Sequence, residues 1–526
     1  MKTRAMVIKM AVATVLLVGL VGMGPLPRAV ATLPRSSQSE LRPLGDVLNS
    51  DGSLDLTSGF RGALDPSGWR MEYAPDGAPV FRPAAPSSPS NTWNPLGSGL
   101  NAVVHAVAVE GRNVYVGGEF TDAGGNAHAD GIARWDGSSW NALGSGLNGG
   151  VATIAILGSN VYVGGDFTDA GGNANADYIA RWDGSSWNAL GSGLNSMVRT
   201  IAVAGPNVYV GGFFTDASGN PNADYIARWD GSSWNALGSG LSDYVYAIAV
   251  EGPNVYAGGN FANAGENPNA DYIARWDGSS WNALGAGLNN YVFAIAVEGA
   301  NVYVGGAFTD AGGGANADCI ARWNGYWWDP LGSGLNNTVY AIVVVGSDVY
   351  VGGYFTDAGG NASADHIARW DGSDWNALGS GVNGTVNAIA AEGPNVYVGG
   401  VFTDAGGDAH ADSIARWDGS YWNALGNGLS NTVHAIAVEG PNVYVGGGFS
   451  DAGGDAGADC IARWDRSYWS ALGIGLNDRV YAIGTVRSDV YVGGLFANAG
   501  GGADADYVAR WGTLYYRVYL PLAMRR

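Results

Sequence analysis

The chain has 526 residues, of which 86 are Gly, 20 Trp, 26 Tyr and 2 Cys, with 14% charged residues and a formal charge of −21. Few Pro and no Gly-X-Y period exclude collagen, and 47% hydrophobic and 11% aromatic content exclude general disorder. Two cysteines exclude a disulfide framework, and an acidic surface argues against nucleic acid, whose phosphates need clustered cations.

At the N-terminus, Lys2, Arg4 and Lys9 precede an apolar stretch from Met10 to Gly24 and the small-x-small triplet Ala29-Val30-Ala31. This pattern predicts a cleaved secretory signal peptide over residues 1–31. The apolar run is shorter than the roughly 20 residues that span a bilayer. No other run is long enough, so the cleaved chain is expected to have no transmembrane span. Cleavage removes four cations and no acid, so −21 becomes −25; both lysines go with it, leaving only Arg as cation. Residues 32–92 lie outside any repeat. Leu48–Phe81 reads as a small β element and Pro79–Ser90 as a Pro/Ser-rich linker.

From Trp93 onward one unit repeats. Trp93, Trp140, Trp187, Trp234, Trp281, Trp328, Trp375, Trp422 and Trp469 are spaced by 47 residues without a slip. Trp135, Trp182, Trp229, Trp276, Trp323, Trp370, Trp417, Trp464 and Trp511 form a second ladder with the same step. Nine units fill residues 93–515, and a period of this size signals a propeller, solenoid or array. In the unit from Trp187 to Ser233, four strand-like runs are Trp187–Leu190, Val198–Val203, Asn207–Phe213 and Tyr225–Trp229. Gly205-Pro206 and Asp230-Gly231 supply tight turns. Four short antiparallel strands per unit make a propeller blade. The prediction is an all-β chain: a single β-propeller of about nine four-stranded blades.

Val208-Tyr209-Val210-Gly211-Gly212, followed by Trp229 and Trp234, resembles the kelch-type blade: an apolar strand, a Gly pair, then two aromatics. The repeat region is similar to kelch and galactose-oxidase-like propellers. Its phrase GG-x-F-T-D-A-G-G…I-A-R-W-D-G-S also resembles propeller repeats of bacterial exported proteins and of fungal cortical polarity markers. The five-residue spacing of the two Trp is tighter than in kelch, and nine blades are more than kelch usually has. The resemblance implies architecture and no activity; no Tyr, His and Cys set matches the copper site of galactose oxidase.

The ring is expected to close with an N-terminal or C-terminal outer strand. The run at Trp93 and the run Leu514–Leu520 compete for one slot; Trp93 keeps the full Trp-x-x-Leu-Gly pattern. With the Val198–Val203 run innermost, as in kelch, the longer connections Gly191–Met197 and Asp216–Asp224 share one face. Long loops carry function more often than tight turns, so this is the candidate face.

On it lie Asp122, Asn126 and Asp130, repeated as Asp169, Asn173 and Asp177 and as Asp357, Asn361 and Asp365. These oxygens suit calcium, but they also suit turns that bond their own backbone, with the second Asp pairing to an Arg, as Asp177 to Arg181. Asn263 and Asn498 interrupt the first column. The strand arginines, from Arg134 to Arg510, read as structural ion-pair partners and the Trp ladders as inter-blade core. Two columns vary among near-copies. One begins the inner strand: His105, Ala152, Arg199, Tyr246, Phe293, Tyr340, Asn387, His434 and Tyr481. The other begins the third strand: Gly131, Tyr178, Tyr225, Tyr272, Cys319, His366, Ser413, Cys460 and Tyr507. The first is expected to ring the mouth of the central channel. Tyr, Phe, His and Arg there are plausible binding equipment, or the positions are simply unconstrained.

No HExxH, nucleophile elbow or phosphate loop appears, and the five His are scattered. Cys319 and Cys460, three repeats apart, are not expected to pair. The tail, residues 516–526, reads as a docked strand or a surface-retention signal. The expectation is therefore a secreted or cell-surface monomer, not an enzyme, that binds a glycan or protein, with no cofactor unless calcium. The alternatives are an extracellular enzyme built on the propeller and a purely structural repeat protein.

Overall fold

The computed structural model describes residues 42–43, 48–49, 64–65, 69–73 and 79–83, and residues 92–512 apart from 97, 315, 362, 409, 454–456, 474, 487–488, 498 and 500–505. The leader over 1–31, most of 32–91, Asn498 and the tail after 512 lie outside the described residues. The chain divides into two compact units, Met23–Asn91 and Met1–Gly22 with Thr92–Arg526.

In the smaller unit, β1 (Arg42–Pro43) pairs in parallel with β2 (Leu64–Asp65), and β3 (Trp69–Tyr73) pairs antiparallel with β4 (Pro79–Pro83). Strand β4 takes up the first residues of the stretch read as linker. Its two prolines sit at its ends, where a two-stranded pair tolerates a missing N–H.

The larger unit is a nine-bladed β-propeller. The outer strand β5 (Thr92–Pro95) comes first in the chain. The first blade follows as β6 (Val104–Glu110), β7 (Asn113–Gly118), β8 (Ile132–Trp135) and β9 (Trp140–Ala142), each antiparallel to the next. The same order recurs in seven further blades. The ninth contains Val480–Val486, Asp489–Gly494 and Val508–Gly512, and its outer strand is β5, with Trp511 opposite Trp93. Of the two candidates for the closing slot, the N-terminal strand occupies it.

Strand residues alternate between the two sides of a blade, and each side meets a neighbour. The core therefore lies between blades. Tyr162 and Ile179 of the second blade pack with Leu194, Val198, Ile201, Val208, Val210 and Phe214 around the third. The first and ninth blades meet in the same way, through Tyr491, Val508, Val104 and Val116. Both Trp ladders belong to this core. The two Trp of each blade meet at ring separations of 5.4–5.7 Å, mostly edge to face. The indole N–H of Trp140 also donates to the Leu96 carbonyl, one unit back. Trp187 repeats this on Leu143, and Trp93 reaches across the closure to Leu472.

The strand arginines lie opposite second-strand tyrosines, as Arg228 lies opposite Tyr209, where its charge acts on the phenol. Three also form ion pairs: Arg322 with Asp329 at 2.7 Å, Arg369 with Asp348 at 3.5 Å and Arg510 with Asp489 at 3.4 Å. The expected pair between Asp177 and Arg181 is not formed among the described residues. Arg181 instead faces Tyr162 and Asn188 across the sheet.

Candidate functional site

Two backbone irregularities build the candidate face, and each falls on a variable column. The first is a bulge at the start of every inner strand. In β6 and β7, Val104 pairs with Gly118 and Ala106 with Gly117, so His105 is left over. The same shift leaves over Arg199, Tyr246, Phe293, Tyr340, Asn387, His434 and Tyr481. A bulge re-aims the extra side chain out of the ladder, here at the entrance to the ring. The second irregularity is a left-handed residue before every third strand. Gly131 has φ +67°, but Tyr178, Tyr225, Tyr272, Cys319, His366, Ser413, Cys460 and Tyr507 hold φ between +58° and +62° with side chains attached. Non-glycine residues adopt this conformation at a cost of about 1–2 kcal/mol. Backbone bonds on both sides hold it: the Tyr225 N–H donates to the Phe214 carbonyl at 2.7 Å, and the Tyr225 carbonyl accepts from Gly212 at 3.0 Å.

Between the fourth and sixth blades these side chains form a continuous arc. Tyr246 and Phe293 have ring centres 5.9 Å apart, and Phe293 and Tyr340 are 6.3 Å apart. Tyr291 touches three rings of the arc: Tyr246 at 6.5 Å, Phe293 at 6.2 Å and Tyr272 at 6.2 Å. Tyr244 joins Tyr225 at 5.9 Å to Phe213 at 4.3 Å. Arg199 lies at one end, where its charge acts on Tyr246. Tyr244, Tyr291 and Tyr340 are exposed by 40, 39 and 37%, so the arc offers ring surface to solvent. Burial raises the Tyr246 hydroxyl above its ordinary value, and neighbouring Tyr291 and Asp243 add to this; burial lowers Arg199.

The other expected residues are placed differently. His434 and Tyr481 pair at 5.5 Å. Burial, then the nearby Arg479, lowers the His434 imidazole. His105 contacts Glu119 at 3.1 Å. Tyr178 packs beside the core between the second and third blades. Tyr244, Tyr291 and Phe213 were not among the residues expected at this site. The signal was present: Val103, Gly150, Met197, Tyr244, Tyr291 and Thr338 form one column, as variable as the neighbouring one, and they precede the bulge directly.

The loop carboxylates behave mostly as turn elements. Asp122, Asp169 and Asp357 each accept an N–H three residues on, from Gly125, Gly172 and Gly360. Asp130, Asp177 and Asp365 each keep one buried carboxylate oxygen without a hydrogen bond. Burial raises all three, and the like charge of the first Asp adds to it. Among the described residues no three His, Cys, Asp or Glu side chains are grouped to hold a metal ion. Calcium at these loops would take most of its roughly six to eight ligands from carbonyls and water. Cys319 and Cys460 are free and buried, and burial pushes both thiols up to about 12, so neither is a nucleophile at neutral pH.

Residues 86–250 match the family model described as the Rax2 C-terminal beta propeller domain. No curated relative matches the chain. Among solved structures, the chain is similar to the computationally designed Ika8 protein, at 18% identity over 70% of this chain and 99% of that one, with a TM-score of 0.43. It is similar to BamB from Moraxella catarrhalis at 10% identity, over 70% and 95%, with a TM-score of 0.35. A chain of a nidogen/laminin complex matches at 11% identity, over 51% and 87%, with a TM-score of 0.27. No helix among the described residues is long and apolar enough to cross a membrane. The protein is a nine-bladed β-propeller whose first blades are similar to the Rax2 C-terminal beta propeller domain.

Proposed function

We propose that this protein is an exported, non-enzymatic propeller that binds a glycan or protein at the cell surface through the aromatic arc. One observation carries the reading. In a chain of near-copied blades, Arg199, Tyr246, Phe293 and Tyr340 occupy successive bulges and make one half-buried surface with Tyr244 and Tyr291. Aromatic and Arg side chains supply most interface energy when clustered and partly desolvated, as here. The leader pattern and the acidic, lysine-free remainder support export. Calcium at the Asp122-type loops remains a separate proposal.

The test uses protein recovered from the culture medium, with its first residue near Thr32. It is passed over purified polysaccharides and envelope fractions. Retention is expected, and Tyr246→Ala with Phe293→Ala and Tyr340→Ala is expected to weaken it by about tenfold or more. Equal retention of the triple variant would remove the arc as the site. Protein held inside the cell with residues 1–31 attached would remove export.

A further inference from the structure

The fifth blade departs from its copies in one place, and the departures converge. Of the 20 Trp, 18 belong to the two ladders; the remaining two are Trp69 and Trp327. Trp327 sits in the turn between the third and outer strands, where the first four blades have Ser139, Ser186, Ser233 and Ser280. Tyr326 precedes it, where seven other blades have Ser. Both rings are open to solvent, Tyr326 by 82% and Trp327 by 61%, with ring centres 6.0 Å apart and planes tilted by 40°.

The polar groups beneath them are exchanged as a pair. In six other blades an Asp opens this turn and an Asn follows five residues later, as Asp136 with Asn141 at 2.9 Å. In the fifth blade Asn324 opens the turn, and it donates to Asp329 at 2.8 Å. The hydrogen bond is kept with its direction reversed. The moved carboxylate now receives the Trp327 indole N–H at 2.7 Å and the Arg322 guanidinium at 2.7 Å. The indole is thereby fixed, with its only donor used. Across from it, Gly314 replaces the Asn126-type residue. Six other blades use that side chain to cap their own loop, as Asn126 accepts from the His128 N–H at 3.1 Å. Losing the cap forfeits about 1 kcal/mol and opens space. A shallow cleft of about 250 Å³ results, lined by Gly312, Gly313, Gly314, Tyr326, Trp327 and Pro330 among others.

We infer that this cleft on the outer edge of the fifth blade binds carbohydrate, with Trp327 and Tyr326 stacking on the apolar face of a neutral pyranose. An aromatic face carries partial negative charge and attracts the weakly positive C–H face of a sugar ring. The N–H groups of Gly312, Gly313 and Gly314 are all bonded within the protein. With these donors spent, the loop favours ligands that donate, as sugar hydroxyls can. A proline-rich peptide has the opposite need: its carbonyls seek a Trp N–H, and this one is taken by Asp329. Net negative charge disfavours anionic ligands. The site is independent of the aromatic arc.

The test is a titration of the whole protein with neutral hexasaccharides of glucose, mannose, xylose and N-acetylglucosamine, read by tryptophan fluorescence and calorimetry. At least one is expected to bind with a Kd of about 0.01–1 mM. Tyr326→Ser with Trp327→Ser restores the turn of the first four blades and is expected to lower affinity at least about tenfold, with the melting temperature unchanged. Trp327→Tyr is expected to retain binding within a few-fold. The inference is overturned if no sugar binds at about 10 mM, if the double Ser variant binds equally, or if only a decaproline peptide binds at this turn.

Discussion

Two glycines end every second strand, and neither is there for turn freedom. A Cβ on Gly211 would meet Val245 Cγ1 of the next blade at 2.6 Å, and one on Gly212 would run into the Met197 carbonyl oxygen. The first glycine lets the next blade seat, and the second lets the chain pass beneath the bulge. Gly212→Ala sets a methyl against backbone that has no slack. It is expected to cost about 2–3 kcal/mol, read as a fall in the urea midpoint. A midpoint within error of the parent would show that the bulge relaxes. The Gly pair was legible as a repeat mark, but the clash that requires it was not, because it depends on a blade 34 residues further along. The Trp ladders were legible as core from spacing alone. Their indole bonds to leucine carbonyls were not, since a periodic sequence gives phase and not which blade an N–H faces.

At the scale of the element, the short outer strand matters more than its length implies. β5 has only four residues, yet it brings Trp93 onto Trp511 and the Leu472 carbonyl, restoring at the closure the contacts of every other blade. Trp93→Ala removes a buried ring, an indole hydrogen bond and the seal of the ring together. A loss of about 3–5 kcal/mol is expected, whereas Trp327→Ala, exposed on a turn, is expected to change stability by less than about 0.5 kcal/mol. Thermal melts of the two variants check this; equal melting temperatures would mean that closure contributes little. The blade, its four strands and their order were readable from period and turn residues. The inner-strand bulge was not: a one-residue irregularity leaves the 47-residue period untouched, and only the partner strand reveals it. That is why the sequence indicated which columns vary but not that Tyr244 and Tyr291 complete the arc.

At the scale of the whole molecule, two families of Asp act in opposite directions on acid stability. Loop residues such as Asp130, Asp177, Asp224, Asp318, Asp365 and Asp412 are raised, chiefly by burial. Their charged forms oppose folding at neutral pH, and this penalty lifts as pH falls toward the ordinary carboxylate value of about 4. Turn residues such as Asp230 and Asp277 are held below the usual range by backbone and side-chain bonds, from Ser233, Ser232 and Asn235 and from Ser280, Ser279 and Asn282. Their contribution is complete above about pH 4 and is lost as pH falls below it. Self-repulsion also weakens as the chain nears its isoelectric point of about 4.4. The melting temperature is therefore expected to rise from pH 7 to about pH 4.5 and to fall below about pH 3.5. Calorimetry across that range checks both limbs, and a steady decline from pH 7 downward would contradict the first.

The closure also decides how the ring responds to a pull. The chain enters at Thr92 and leaves at Gly512, and these two residues face each other across the final antiparallel pair. Tension applied to both ends falls on this one short ladder and bypasses the other eight blades. Because both ends leave from the same side of the pair, its bonds are loaded one after another, as in a zipper, and not sheared together. A protein with a large cooperative core thus has, at its seam, a mechanically soft latch.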